Sequence, residues 1–231
     1  MGDVAAVVVA AGRGTRFRAG PRKQYVVLCG RPVLAHVMEV MARSGVVDRV
    51  VLVVPAGEEE HCRELFGGPK VCAVVAGGDR RLDSVFHGLV ALAPPPEIVV
   101  VHDGVRPLVR EEHLAEVVRV AREAGAATLA VPVKDTIKVV DPSGCVVRTL
   151  PREELWQVQT PQAFRYEVLL AAHRLARRDG CDATDDAALV ERTGQVVRVV
   201  RGDYSNIKIT TEEDLLLAEM LFRRGAGCSG P

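Results

Sequence analysis

Val4 to Ala10 is an unbroken apolar run that ends at Ala11-Gly12, the pattern of a strand covered on both faces. Val50–Val54, Val71–Val75, Ile98–Val101 and Thr128–Val131 predict four more strands of this kind. Between the runs the period lengthens. Pro32 opens a helical pattern with Leu34, Val37, Met38 and Met41 on one face. Helical patterns also cover Leu82–Leu92, broken by Pro94-Pro95-Pro96, and Glu111–Glu123, stopped by Gly125. Strands alternating with helices, with no tight hairpin among them, predict an α/β fold on a doubly wound, mostly parallel sheet.

The rhythm changes at Val133. Lys134 to Arg148 alternates polar and apolar residues around the turn signal Asp141-Pro142-Ser143-Gly144, which predicts a protruding β-hairpin arm at about 133–152. So small an arm buries little alone, so it is expected to lie against a second copy of the chain, as a homodimer. Helices are predicted near Tyr166–Arg177 and Asp185–Thr193, and a strand at Val196–Val200. The last helix is expected to start at Thr210, with Glu213 completing a capping box, and to run to about Arg224, with a frayed tail from Gly225 to Pro231. No repeat divides the chain, so residues 1–231 are read as one domain.

Composition narrows the partners. Lysine plus arginine equals aspartate plus glutamate at 30 each, which offers no overall field for nucleic acid or a membrane surface. Any anion must therefore be met by local charge. No apolar stretch reaches membrane-spanning length, and the N-terminal run lacks the basic start of an export signal. Cysteines 29, 62, 72, 145, 181 and 228 include no C-x-x-C pair. They are read as reduced, buried small side chains in a cytoplasmic protein.

Candidate chemistry gathers at strand ends, where open parallel sheets bind their ligands. The first strand runs into Ala10-Ala11-Gly12-Arg13-Gly14-Thr15-Arg16, with Pro21-Arg22-Lys23 close behind. Glycines there let backbone N–H groups approach a polyphosphate, and the basic groups could converge on it; a solvated surface loop is the other reading. A dinucleotide fingerprint fails because Phe17 stands at its sixth position, and no G-x-x-x-x-G-K-[ST] motif occurs. The third strand ends in Gly77-Gly78-Asp79-Arg80-Arg81-Leu82-Asp83-Ser84 and the fourth in His102-Asp103-Gly104-Val105-Arg106-Pro107. Asp103 suits a Mg²⁺ ion held on phosphates, and Arg106 suits a phosphate itself; either could equally serve a surface ion pair or fix its loop. His102 is read as a packed residue orienting the loop. Histidine spacing shows no metal pattern, and no G-x-S-x-G elbow supports a serine nucleophile.

With these motifs in order, and with Pro132-Val133-Lys134-Asp135-Thr136-Ile137-Lys138, Gln159-Thr160-Pro161-Gln162, Thr184-Asp185-Asp186-Ala187 and Asn206-Ile207-Lys208-Ile209-Thr210 after them, the chain resembles the 2-C-methyl-D-erythritol 4-phosphate cytidylyltransferases of the non-mevalonate isoprenoid pathway nearly end to end. The resemblance implies transfer of a cytidylyl group from CTP to a polyol phosphate. It implies that the backbone of Ala10, Ala11 and Gly12, with Arg16, wraps the CTP phosphates, and that Gly78, Asp79 and Ser84 line the cytosine and ribose side. Lys23 and Lys208 would flank the α-phosphate, while Asp103, Arg106, Thr160 and Lys208 would face the acceptor. Thr136 and Arg152 would come from a neighbouring subunit's arm. Gly104-Val105 replaces two alanines usual in the family, so a looser loop and extra bulk near the acceptor are expected. Leu150-Pro151-Arg152-Glu153 also departs from the common pattern. A ribitol 5-phosphate enzyme on the same fold and a non-catalytic nucleotide-binding protein are the rival readings.

Overall fold

In the computed structural model, residues 2–12 and 22–225 are described, without the Lys23 side chain. The predicted Arg16 and the tail beyond Gly225 lie outside these residues. The elements in chain order are β1 (Val4–Val9), a 3-10 turn at Lys23–Tyr25, β2 (Val27–Leu28), β3 (Arg31–Pro32), α1 (Val33–Arg43), β4 (Arg49–Val54), α2 (Glu59–Phe66), β5 (Val71–Ala76), α3 (Arg81–Val90) and β6 (Ile98–Asp103). They continue with α4 (Glu111–Ala124), β7 (Ala126–Pro132), β8 (Lys138–Val140), β9 (Val146–Thr149), a 3-10 turn at Arg152–Glu154, β10 (Trp156–Arg165), α5 (Tyr166–Asp179), α6 (Asp186–Glu191), β11 (Arg198–Arg201) and α7 (Glu212–Gly225).

Seven strands form one sheet in the order β11-β7-β10-β6-β1-β4-β5, all parallel except β10, which runs antiparallel to both neighbours. Successive residues of the central strands face opposite layers, so each apolar run feeds two cores. Ala6, Val8, Leu52 and Val100 meet Leu34, Val37 and Met41 of α1 and Leu114, Val117 and Val118 of α4. Val7, Val53, Val99 and Val101 meet Val85 and Leu89 of α3, Leu169 of α5 and Leu189 of α6. All of these side chains are buried.

The α3 layer lies so close to the sheet that one position tolerates no Cβ: at Gly88 it would overlap Val7 Cγ1 and press on Val53 Cγ2. Gly88→Ala is therefore expected to destabilise the protein by about 1–3 kcal/mol despite the better helix propensity of alanine. Urea unfolding measures this directly, and a stabilised variant would contradict the packing.

Several expectations need correction. β10 is an additional strand with no apolar signature, because Gln157, Gln159, Pro161 and Gln162 break any apolar run; the strand exists because β6 and β7 each offer it an edge. α2 was also missed, since only Cys62 and Phe66 of its eight residues are buried. A tight hairpin does occur, β2–β3, turned by Cys29 and Gly30, both at positive φ. The capping box sits one residue later than expected: Thr211 Oγ1 accepts from the Asp214 N–H at 3.3 Å, and Asp214 Oδ2 accepts from the Thr211 N–H at 2.9 Å. The cysteines are not uniformly buried. The described five are free thiols, but Cys72 is exposed on the edge strand β5 and Cys145 at the arm's turn.

The arm follows its alternation: β8 and β9 pair as a separate antiparallel hairpin, and Asp141 Oδ1 accepts from the N–H groups of Ser143 and Cys145, both at 2.9 Å, to close the turn. Val140, Val146 and Val147 on the arm stand exposed, as do Trp156 and Val158 at the start of β10. No helix among the described residues is long and apolar enough to cross a membrane.

Candidate active site

β1, β5 and β6 deliver their C-terminal ends to one side of the sheet, and two cavities lie there. The first, of about 220 Å³, is lined by Ala10, Ala11 and Gly12 after β1, by Gly78, Asp79 and Ser84 at the entry to α3, and by Gln24. The second, of about 480 Å³, is lined by Arg106 after β6, by Gln159, Thr160 and Gln162 of β10, and by Thr184 and Asp185 before α6. Arg81, Asp103 and Lys208 line both and so form a wall between them. A larger open groove of about 1000 Å³, between Pro107–Glu112 and α7, contains none of the predicted site residues.

Close backbone approach shapes the first cavity. A Cβ on Gly77 would overlap Ala11 Cβ, so glycine lets the β1 loop lie against the β5 end. Ser84 Oγ accepts from the Gly78 N–H at 3.1 Å and donates to the Arg80 carbonyl at 3.2 Å, which fixes the glycine loop over the start of α3. Gln24, on the turn that carries Lys23, is only 1% exposed, and neither end of its amide has a partner among the described residues. Sequence reasoning passed over it, as a single polar residue in a basic segment carries no periodic signal.

The wall is built around one carboxylate. Asp103 Oδ2 lies 2.7 Å from Lys208 Nζ and 3.8 Å from Arg106 Nε, and its Oδ1 lies 3.4 Å from Arg81 Nε. Burial alone would push the Asp103 carboxyl up; Arg81, Lys208 and Arg106 together outweigh it and hold the group well below the usual carboxylate range. Arg106 Nη1 donates to the Asn206 carbonyl at 2.8 Å, while its buried Nε makes no hydrogen bond among the described residues.

Behind the wall a hydrogen-bonded chain fixes the loop. The Asp103 N–H donates to Thr160 Oγ1 at 3.1 Å, and Thr160 Oγ1 lies 3.0 Å from His102 Nδ1. His102 Nε2 lies 3.2 Å from the Arg106 carbonyl, which assigns the proton to Nε2 and makes Nδ1 the acceptor of the threonine hydroxyl. Thr160 thus spends its hydroxyl on holding Asp103, and His102 is the packed, loop-orienting residue that was expected. Burial pushes the His102 imidazole down to about 4, so it stays neutral near pH 7.

That shift has a stability consequence. As pH falls from about 6.5 to about 4, the unfolded chain takes up a proton at residue 102 that the folded protein refuses, so stability is lost through that window. The loss amounts to at most a few kcal/mol, at about 1.4 kcal/mol per pH unit. Asp103 adds to acid sensitivity lower down, because its stabilisation is present above the usual carboxylate range and lost as pH falls through its depressed pKa. Urea melts of His102→Gln are expected to show a flatter pH dependence between 6.5 and 4 than the wild type; an unchanged slope would remove His102 as the cause.

Val105 does not crowd the second cavity. It is buried with Leu28, Val33 and Ile209 and lines only the first cavity; its carbonyl accepts from the Ile209 N–H at 2.9 Å, which ties the Lys208 segment to the β6 loop. Nor does Gly104 leave slack, since a Cβ there would sit 3.0 Å from Ala10 Cβ. Thr136 and Arg152 are exposed on the arm and line neither cavity of their own chain; Arg152 Nη1 donates to the Lys134 carbonyl at 3.0 Å. The backbone of Lys23 lies beside Gln24, at the first cavity. Arg81, within the Gly77–Ser84 motif, carries no signal of its own in the sequence, because a basic residue at a helix start resembles a solvated one.

Comparison with known proteins bears on this geometry. A family model described as "IspD: 2-C-methyl-D-erythritol 4-phosphate cytidylyltransferase" matches residues 4–224. The chain is 54% identical to the 2-C-methyl-D-erythritol 4-phosphate cytidylyltransferase of Pelotomaculum thermopropionicum, covering 98% of this chain and 97% of that one. It is 58% identical to the "Bifunctional enzyme IspD/IspF" of Desulforudis audaxviator over 97% of this chain, but spans only 58% of that protein's length. Among solved structures it is similar to the 4-diphosphocytidyl-2C-methyl-D-erythritol synthase of Anaerococcus prevotii, with a TM-score of 0.87, 33% identity and 96% of each chain covered. The cytidylyltransferase of Thermus thermophilus superposes with a TM-score of 0.76 at 35% identity, covering 94% of this chain and 98% of that one.

Proposed function

The chain belongs to the 2-C-methyl-D-erythritol 4-phosphate cytidylyltransferase family and is a CTP-dependent enzyme of the non-mevalonate isoprenoid pathway; from that premise we propose how its residues divide the work. CTP occupies the cavity of Ala10, Ala11, Gly12, Gly78, Asp79 and Ser84, and 2-C-methyl-D-erythritol 4-phosphate occupies the cavity of Arg106 and Thr160. The observation that carries this reading is the shared wall. Lys208 and Asp103 border both cavities, so a phosphorus atom passing between two substrates lies within reach of one ammonium group.

The acceptor phosphate is anionic at neutral pH and needs no general base, in keeping with a neutral, fully bonded His102. One of its oxygens attacks the α-phosphorus in line, forming the new P–O bond as the bond to the β-phosphate oxygen breaks and pyrophosphate departs. Lys208, with Lys23 and Arg16 as the family's further cations, stabilises charge on the equatorial and leaving oxygens.

Magnesium fits as an ion carried mainly by the triphosphate. The described residues hold no group of three or more potential ligands, so Asp103 would be its one shared-wall carboxylate, and the ion would supply neutralising charge on the phosphates. The arm reaches a second subunit, whose acceptor cavity receives Thr136 and Arg152; the uncovered Val140, Val146 and Val147 support this homodimer. Free thiols at exposed Cys72 and Cys145 suit a cytoplasmic setting.

Pyrophosphate release measured with four nucleotides against 2-C-methyl-D-erythritol 4-phosphate and ribitol 5-phosphate tests the assignment. CTP with the methylerythritol phosphate should give the highest kcat/KM, and a preference for ribitol 5-phosphate would overturn the acceptor.

A further inference from the structure

Arg81 is the member of the shared wall to which neither the motifs nor the reaction above gives a role. Its position is costly on two counts. It opens α3, where unpaired backbone N–H groups disfavour a cation, and its side chain is three-quarters withdrawn from water between two cavities. Two carboxylates offset that cost. Nε lies 3.4 Å from Asp103 Oδ1, and Nη1 donates to Asp186 Oδ2 at 2.7 Å. Asp186 is itself fully buried, and its other oxygen lies 3.0 Å from His173 Nε2. An ordered line thus runs from His173 through Asp186, Arg81 and Asp103 to Lys208.

The line resolves a conflict in the wall. Lys208 is 2.7 Å from Asp103 Oδ2, an ion pair that ties up the ammonium needed at phosphorus. If Lys208 were the only partner, its departure would strand a carboxylate that is 5% exposed. Arg106 does not cover that charge alone, since it stands 3.8 Å away, holds the Asn206 carbonyl and faces the acceptor cavity. Arg81 can cover it, because a guanidinium keeps its proton and Asp186 pins this one from behind. We propose that Arg81 is a positioning residue, the resident counter-ion of Asp103, which frees Lys208 to move onto the transferring phosphorus.

This inference rests on the role given above to Lys208, and the test separates the two. Wild-type pyrophosphate release from CTP and 2-C-methyl-D-erythritol 4-phosphate must be seen first; its absence would sink the assigned reaction. Given that release, R81M is expected to lower kcat by about 10- to 100-fold while the KM for CTP changes by less than about threefold. R81K, which keeps the charge without the fork, should recover part of the loss. The decisive measurement is the double-mutant cycle with D103N. With no carboxylate left to hold Lys208, R81M should cost less than about threefold in that background; an equal loss in both backgrounds overturns the proposal. R81M/D186N guards against misfolding, as it leaves no orphaned buried carboxylate. It should fold and show the same kcat deficit as R81M, whereas a return to wild-type turnover would trace the loss to Asp186 and overturn the proposal as well.

Discussion

Lys208→Ala is expected to lower kcat and kcat/KM together by about 10² to 10³, the effect of removing one preorganised donor from a transition state. The fold should survive, because Asp103 retains Arg81 at 3.4 Å and Arg106 at 3.8 Å after the ammonium is gone. Equal losses in the two constants would place the contribution in the transition state, whereas a raised KM alone would make Lys208 a ground-state binding residue. Near-normal pyrophosphate release by a folded Lys208→Ala protein would leave the shared wall without its catalytic meaning.

The second large effect concerns the arm. Val140 and Val146 pair across β8–β9 and are 55% and 60% exposed in the single chain. Placing aspartate at both should set two unpaired charges in the proposed subunit interface and yield monomers by sedimentation. Activity should fall with dimerisation, since each acceptor cavity would lose Thr136 and Arg152. Two charge-assisted hydrogen bonds of about 1.5–3 kcal/mol each to a phosphate predict a loss of at least about 100-fold in kcat/KM. A fully active monomer would show that the arm serves something other than the acceptor phosphate.

Much of this was legible in the chain, for identifiable reasons. β1, β4, β6 and β7 are buried on both faces, so their apolar runs are unbroken and announce themselves. β5 carries a similar run but is the sheet's edge, with only Val74 of its six residues buried, so it is not the doubly covered strand its run predicts. The arm showed because alternation around Asp141-Pro142-Ser143-Gly144 has no other simple reading. The first cavity's glycine-lined rim was legible because close backbone approach demands small residues, and Gly12, Gly77 and Gly78 stand at strand ends. β10 was not, because pairing with β6 and β7 is decided by those neighbours and not by its own glutamine-rich sequence. Arg81 and Gln24 escaped for a related reason: their meaning lies in what they face across the fold, and a single polar letter does not carry that.

The antiparallel insertion of β10 has a bearing on synthesis. Until residue 165 leaves the ribosome, β6 has no partner on its outer side, and β7 has no route into the sheet, since β10 is its link to β6. A nascent chain of about 150 residues thus offers an apolar, unpaired edge along the six residues of β6, the kind of template that invites association between chains. Asp103 and Thr160, which meet across that seam, join only when it closes, so the loop that carries the shared wall's carboxylate is fixed only after that edge has been covered.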